Sequence, residues 1–342
     1  MFRVNKTQYD NDFTDIICET SNYIDLIDLS NINSKDFDIF KNGFKSITNK
    51  GENLLISLSG GVDSMVCMYF AKMMGFNVKA LMINYLNRET SDREQVFVSW
   101  WCNKIGVELF IYRMDNIKRE RNSKNRTEYE ELTKKIRFDL YNLFENRRIV
   151  LGHNRDDCLE NIFSNLKKNR SYHNLLGMNK VSNINEVNII RPILDIKKTE
   201  IIRCANILNI PYLYDSTPKW SERGMMRDVL IPGINDFNNN ILGNLINYCN
   251  EISELFGVIH DEINNLDIQT INNVMFIEGN MRNIKMFWKE LFNRVNININ
   301  NKCIDQLINN YQTLIISKKQ YMIGKNISMI FQEKDKIKLT NQ

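Results

Sequence analysis

The sequence predicts an α/β protein built on a doubly wound parallel sheet, and three observations carry that prediction. Between residues 37 and 151, apolar runs of strand length alternate with segments of helical periodicity. One such run, Leu54 to Leu58, enters the turn Ser59-Gly60-Gly61-Val62-Asp63-Ser64, after which Val66, Tyr69, Phe70 and Met73 recur at helical spacing. Another, Arg148 to Leu151, ends in a polar cluster that opens a second helix. Alternation of this kind implies right-handed βαβ crossovers and a sheet covered on both faces. Ligands in such sheets bind beyond the carboxyl ends of the strands.

Residues 1 to about 36 are polar and hold no glycine or proline, which predicts an extra helix or an arm. Phe37 to Ile47 carries a helical stripe of apolar residues into the first strand. Lys79 to Ile83 reads as a second strand, Glu94 to Ile105 as a helix and Glu108 to Tyr112 as a third strand. Glu128 to Phe144 reads as a long helix before the fourth strand. Ile241 to Ile263 is helical in period, and Met275 to Lys338 reads as two helices and two short strands, Gln320 to Ile323 and Ile327 to Phe331. Gly324-Lys325-Asn326 between them is a hairpin cue. The expected divisions are an N-terminal extension (1–45), a main α/β domain (46–218), a helical domain (219–270) and a small α+β domain (271–342).

Composition bounds the function. With 43% hydrophobic and 25% charged residues the chain reads as globular, and its net charge of +4 does not by itself indicate a nucleic-acid partner. The absence of a long apolar run or a leader-like N-terminus predicts a cytoplasmic protein. Seven scattered cysteines, with no Cys-x-x-Cys pair, point away from a zinc ribbon or a disulfide framework.

The glycine turn carries the first chemistry. Gly60 and Gly61 free the backbone to turn several N–H groups toward one anion, and the helix that follows adds its partial positive charge. A pair of glycines alone would equally serve a plain βα turn. The Gly-Lys-Ser/Thr ending of the common phosphate loop is absent, and Asp63 stands there instead. A carboxylate beside a phosphate predicts a divalent cation, Mg²⁺, between them. The second cluster, Gly152-His153-Asn154-Arg155-Asp156-Asp157-Cys158-Leu159-Glu160, places Asp156, Asp157 and Glu160 on one helical face. Simple helix capping by Asp156 or Asp157 is the competing reading, and His153 could equally be a satisfied strand-end histidine.

Ser-Gly-Gly-Val-Asp-Ser resembles the pyrophosphate loop of the PP-loop ATP pyrophosphatases. His153-Asn154-x-Asp156-Asp157-x-x-Glu160 is similar to the second signature of the tRNA(Ile)-lysidine synthetase family and of the related tRNA thiolases, with Asn161 where threonine is usual. Three further segments resemble the lysidine branch in chain order. They are Glu130 to Phe138, with Lys134 and Phe138 departing from Arg and Tyr; Arg191-Pro192-Ile193-Leu194, read as a strand, with the helix after it; and Asp215-Ser216 followed by Arg223 to Pro232, with Gly224 for Asn.

The resemblance covers about residues 50 to 235 and implies an adenine nucleotide alpha-hydrolase-like fold. It implies ATP-dependent joining of free L-lysine to the wobble cytidine of tRNA(Ile). Asp63, Asp156, Asp157 and Glu160 would be catalytic. Ser59, Gly60, Gly61, Val62, Asp63, Ser64 and His153 would bind ATP, with Asp63 also on Mg²⁺. Lys134, Arg137, Arg191, Arg223 and Arg227 would bind tRNA. A thiolase is the alternative, although the thiolase cysteine pair is missing from Asn125 to Arg137. An inactive tRNA-binding relative ranks below it, because the acidic and glycine positions are retained.

Overall fold

The computed structural model describes residues 2–3, 35–115, 123–170, 175–214, 220–272, 274–323 and 327–341. Asp215, Ser216, Gly324 to Asn326 and most of the first 36 residues lie outside them. In chain order the elements begin with β1 (Phe2–Arg3), α1 (Asp38–Lys45), β2 (Asn53–Ser57), α2 (Val62–Met73) and β3 (Asn77–Asn84). They continue with α3 (Ser91–Lys104), β4 (Glu108–Arg113), α4 (Ser123–Asn142), β5 (Arg148–Val150) and α5 (Arg155–Lys167). Next come β6 (Val181–Ile184), β7 (Val187–Ile190), α6 (Lys198–Ile207), α7 (Glu222–Met225), a π-helical turn (Met226–Leu230), α8 (Ile231–Phe237) and α9 (Ile241–Asn264).

These strands form one sheet in the order β1-β4-β3-β2-β5-β7-β6. The five central strands are parallel, and β1 and β6 are antiparallel edges. The order reverses between β2 and β5, so the loops that leave these two strands face each other across the switch point. Alternate side chains enter opposite layers, as the pleat requires. Leu54, Ile56, Ala80, Met82 and Val150 pack under α1, α2, α3 and α6. Leu55, Leu81, Ile149, Val187 and Ile189 meet Leu140 and Tyr141 of α4 on the other face. Burying each such side chain contributes about 1.5–3 kcal/mol, which is why β2 reads as a continuous apolar run.

Gly43 sits inside α1, where glycine is a poor helix former. A Cβ there would lie 2.0 Å from the carbonyl oxygen of Pro192, so only glycine lets α1 approach the turn after β7.

That turn corrects one expectation. Arg191 to Leu194 is not a strand: the strand ends at Ile190 and residues 192–195 turn. Pro192 has no N–H to give a ladder. The edge strand β1, only two residues long, leaves no periodicity in the sequence.

Contacts divide the described residues into two units, one running to Ile246 and one from Asn247 on. The division falls inside α9, which differs from the expected boundaries at 219 and 271. The second unit holds β8 (Asp267–Ile271), β9 (Val274–Glu278), α10 (Lys285–Arg294), α11 (Asn301–Asn309), α12 (Tyr311–Ser317), β10 (Tyr321–Met322), β11 (Ile327–Glu333) and β12 (Lys336–Asn341). Its antiparallel sheet runs β10-β11-β12-β9-β8, and Trp288 packs edge-on against Tyr311 and Phe331 in its core. Among the described residues no helix is long and apolar enough to cross a membrane.

Candidate active site at the switch point

The loop after β2 is braced by its own hydroxyls. Ser64 Oγ donates to the Gly61 carbonyl at 2.9 Å and accepts from the Ser59 amide at 3.2 Å, and the Gly61 amide donates to Ser59 Oγ at 3.3 Å. Gly60 takes φ +82°, which favours glycine, and a Cβ there would also press on Leu213 Cδ1 at 2.4 Å. Gly61 is the N-cap of α2 and supplies no side-chain acceptor to the first turn. Those amides are the orphan donors of a helix start, and the helix dipole adds to them. Ser59, Gly61, Val62 and Asp63 line a cavity of about 590 Å³, with Lys198, Asp156 and Arg227 on its other walls.

The loop after β5 closes against this one. A Cβ on Gly152 would fall 2.9 Å from the Ser64 amide nitrogen and 3.1 Å from Asp63 Cβ, so the absence of a side chain brings the two helix starts together. Asn154 then caps α5: its Oδ1 accepts from the amides of Asp156 and Asp157, and Asp157 Oδ2 accepts from the Asn154 amide at 3.0 Å. The capping role considered for the aspartates thus belongs to Asn154, with Asp157 closing a reciprocal box. Asn154 Nδ2 also donates to Asp63 Oδ1 at 3.1 Å, which ties the two loops through one buried side chain.

Asp156 and Glu160 both have their carboxyl pKa raised, first by burial; so does Asp63, where Lys198 opposes the shift. Glu160, 2% exposed, accepts from Arg227 Nε. Arg223 Nε lies 3.3 Å from the other oxygen, Oε2, without hydrogen-bond geometry, and Oε2 accepts no hydrogen bond among the described residues. Arg227 also reaches Asp157 at 3.5 Å. The π-helical turn between α7 and α8 carries Arg227 over the acidic face of α5. Cys158 beside them is buried, and burial pushes its thiol up to about 12, so it offers no thiolate near neutral pH.

His153 Nδ1 accepts from Arg191 Nε at 3.0 Å, which places the ring proton on Nε2. Burial pushes this imidazole down to about 4 and Arg191 adds to the effect, against the opposing pull of Asp157, so the ring is neutral. Arg191 itself is 4% exposed, and its Nη1 donates to the Asn179 carbonyl and to Ser182 Oγ. Its guanidinium is thus buried, with Nε on His153 and Nη1 on the 179–182 segment. Lys134 and Arg137 are exposed on α4, where Arg137 donates to the Tyr85 hydroxyl at 2.9 Å. Arg223 is exposed and Arg227 half-buried.

Sequence reasoning missed Asn154 and Lys198. Lys198 Nζ lies 2.5 Å from Asp63 Oδ2 and lines the cavity. One signal was available: Lys197 and Lys198 open a helix, where cations oppose the macrodipole, so an anion must lie nearby. Asp156 supplies part of it by accepting the Lys198 backbone N–H. A divalent cation would fit beside Asp63. Among the described residues no three His, Cys, Asp or Glu side chains form a group that could hold a metal ion by themselves, but Mg²⁺ takes one or two carboxylates together with phosphate oxygens rather than an all-protein cage.

Comparison with known proteins places relatives beside this chain. The tRNA(Ile)-lysidine synthase of Chlamydia muridarum is 28% identical over 230 residues, covering 65% of this chain and 69% of that protein. The tRNA(Ile)-lysidine synthase of Bacteroides thetaiotaomicron is 29% identical over 224 residues, covering 62% of this chain and 50% of that protein. Among solved structures, the U34-tRNA thiolase NcsA from Methanococcus maripaludis matches with a TM-score of 0.51 at 18% identity, over 64% of this chain and 78% of that one; this likeness concerns the fold alone. A family model described as the PP-loop domain matches residues 31–234, more than half of the chain and the whole of both signature loops. The chain belongs to the PP-loop domain family.

Proposed function

We propose that this protein is an ATP-dependent tRNA-modifying ligase that joins free L-lysine to the wobble cytidine of tRNA(Ile). The observation that carries the reading is the contact at Gly152, which sets an uncapped helix start suited to pyrophosphate directly beside a buried acidic turn suited to an amine. The lysidine synthases that the chain resembles supply the substrates by name.

The chemistry follows from the two halves. The cytidine C2 oxygen attacks the α-phosphorus of ATP and pyrophosphate leaves; the loop amides and the helix start stabilise the charge that develops there. The ε-amine of lysine then attacks C2, AMP departs with the oxygen, and the amine gives up its protons. Glu160 Oε2 is a buried acceptor without a hydrogen bond among the described residues, and with Asp156 and Asp157 it forms the cradle for that amine. Neutral His153 offers its Nε2 proton as a donor. Asp63 would hold Mg²⁺, which neutralises the phosphates when bound. Lys134, Arg137 and Arg223 are the cations offered to the tRNA backbone, and Arg227 bridges the acidic turn and the cavity.

The test is the mass of nucleosides from tRNA incubated with the protein, ATP, Mg²⁺ and lysine. A gain of one condensed lysine with release of AMP and pyrophosphate is expected, and Asp63→Asn should reduce turnover at least a hundredfold, on the order of losing one transition-state contact. A sulfur-for-oxygen exchange, or release of ADP and orthophosphate, would overturn the reading.

A further inference from the structure

The glycine loop lacks the lysine that common phosphate loops carry, yet a lysine reaches the same place from 135 residues away. Lys198 is the first residue of α6, and its backbone N–H faces the Asp156 carboxylate. Its Nζ therefore arrives from a fixed root at Asp63, the second residue of α2. The ammonium is partly exposed and lies on the wall of the same cavity that Ser59, Gly61 and Val62 line. Asp63 is held on both sides, by Asn154 on Oδ1 and by Lys198 on Oδ2.

A polyphosphate seated on the α2 start would find carboxylates at Asp63 and Asp156 beside it, and a cation between them is needed. Arg88 and Arg227 also line the cavity, but each is engaged by a glutamate, Glu94 and Glu160. Lys198 is engaged by the one carboxylate that a divalent cation would neutralise. Resting on the ATP-binding part of the reading above, we infer that Lys198 is a phosphate-contacting residue, released from Asp63 onto a phosphate oxygen when nucleotide binds. The competing role is purely structural, as the counter-charge of a buried Asp63.

The two roles separate in a double-mutant cycle read by binding. Titration calorimetry of inorganic pyrophosphate without divalent cations would compare wild type, K198M, D63N and D63N/K198M, with melting curves run on all four. In the D63N background the counter-charge role no longer exists. A phosphate contact predicts that K198M there still weakens pyrophosphate binding by about tenfold or more, the effect of losing a charge-assisted hydrogen bond. K198Q in the same background should behave as K198M does, and K198R should recover part of the loss. A change under twofold in the D63N background would overturn the inference while leaving the loop as a pyrophosphate site. If neither wild type nor D63N binds pyrophosphate, the ATP-binding reading fails and this inference with it.

Discussion

His153 shows how one residue's surroundings fix its protonation. An ordinary imidazole titrates near 6.5, whereas His153 is held down to about 4 by burial and by the Arg191 guanidinium. Between those two values the unfolded chain binds a proton that the folded chain refuses, so stability falls as pH drops from about 6.5 to about 4 and the effect is complete below that. The contribution is on the order of 3 kcal/mol. Denaturant unfolding at several pH values should show a steeper loss in wild type than in His153→Asn; identical slopes would mean that the ring charges freely. The residues legible in the sequence were those whose neighbours along the chain explain them, such as Gly60, Gly61 and Asp63. The burial of Arg191 was not legible, because a cation's burial depends on partners distant in sequence, here His153, Asn179 and Ser182.

Helix α5 is the element on which the acidic side of the site stands, and Asn154 has two separable jobs in it. Its Oδ1 caps the helix, and its Nδ2 orients Asp63. Asn154→Ala should cost about 1–2 kcal/mol through the lost cap and should also lower AMP release. Asn154→Ser keeps a capping oxygen but drops the Nδ2 donor. It should therefore melt close to wild type while its AMP release stays low, and a fully active Ser variant would show that Asp63 needs no such tie. Elements α2, α3, β3, β4 and α9 were legible because one periodicity runs through each. The tail was less so. β12 alternates charged or polar with apolar residues over only six positions, as in Lys336-Ile337-Lys338-Leu339, β8 and β9 are five residues each, and the partners of β12 on β9 lie as far as 66 residues away in sequence, at Thr340 and Val274.

At the scale of the whole molecule, a net charge of +4 is too small to draw tRNA by itself, so under the proposed function local cations would supply the affinity. Binding of tRNA should weaken with salt as phosphates shed condensed counterions, and Arg223→Ala or Lys134→Ala should each reduce the slope of log K against log salt by about 1 if that residue touches a phosphate. Filter binding between low and physiological salt would check it, and an affinity indifferent to salt would argue for a small-molecule substrate. The contact between Gly43 and Pro192 reaches equally far. The helix it belongs to precedes both signature loops and carries no chemistry, yet its glycine admits the turn from which Arg191 holds His153. Position 43 is therefore tied to the path of the backbone at 192. A lineage can replace Gly43 only by rebuilding the 191–195 turn at the same time, because the obstacle is a backbone carbonyl that no choice of side chain at 192 removes.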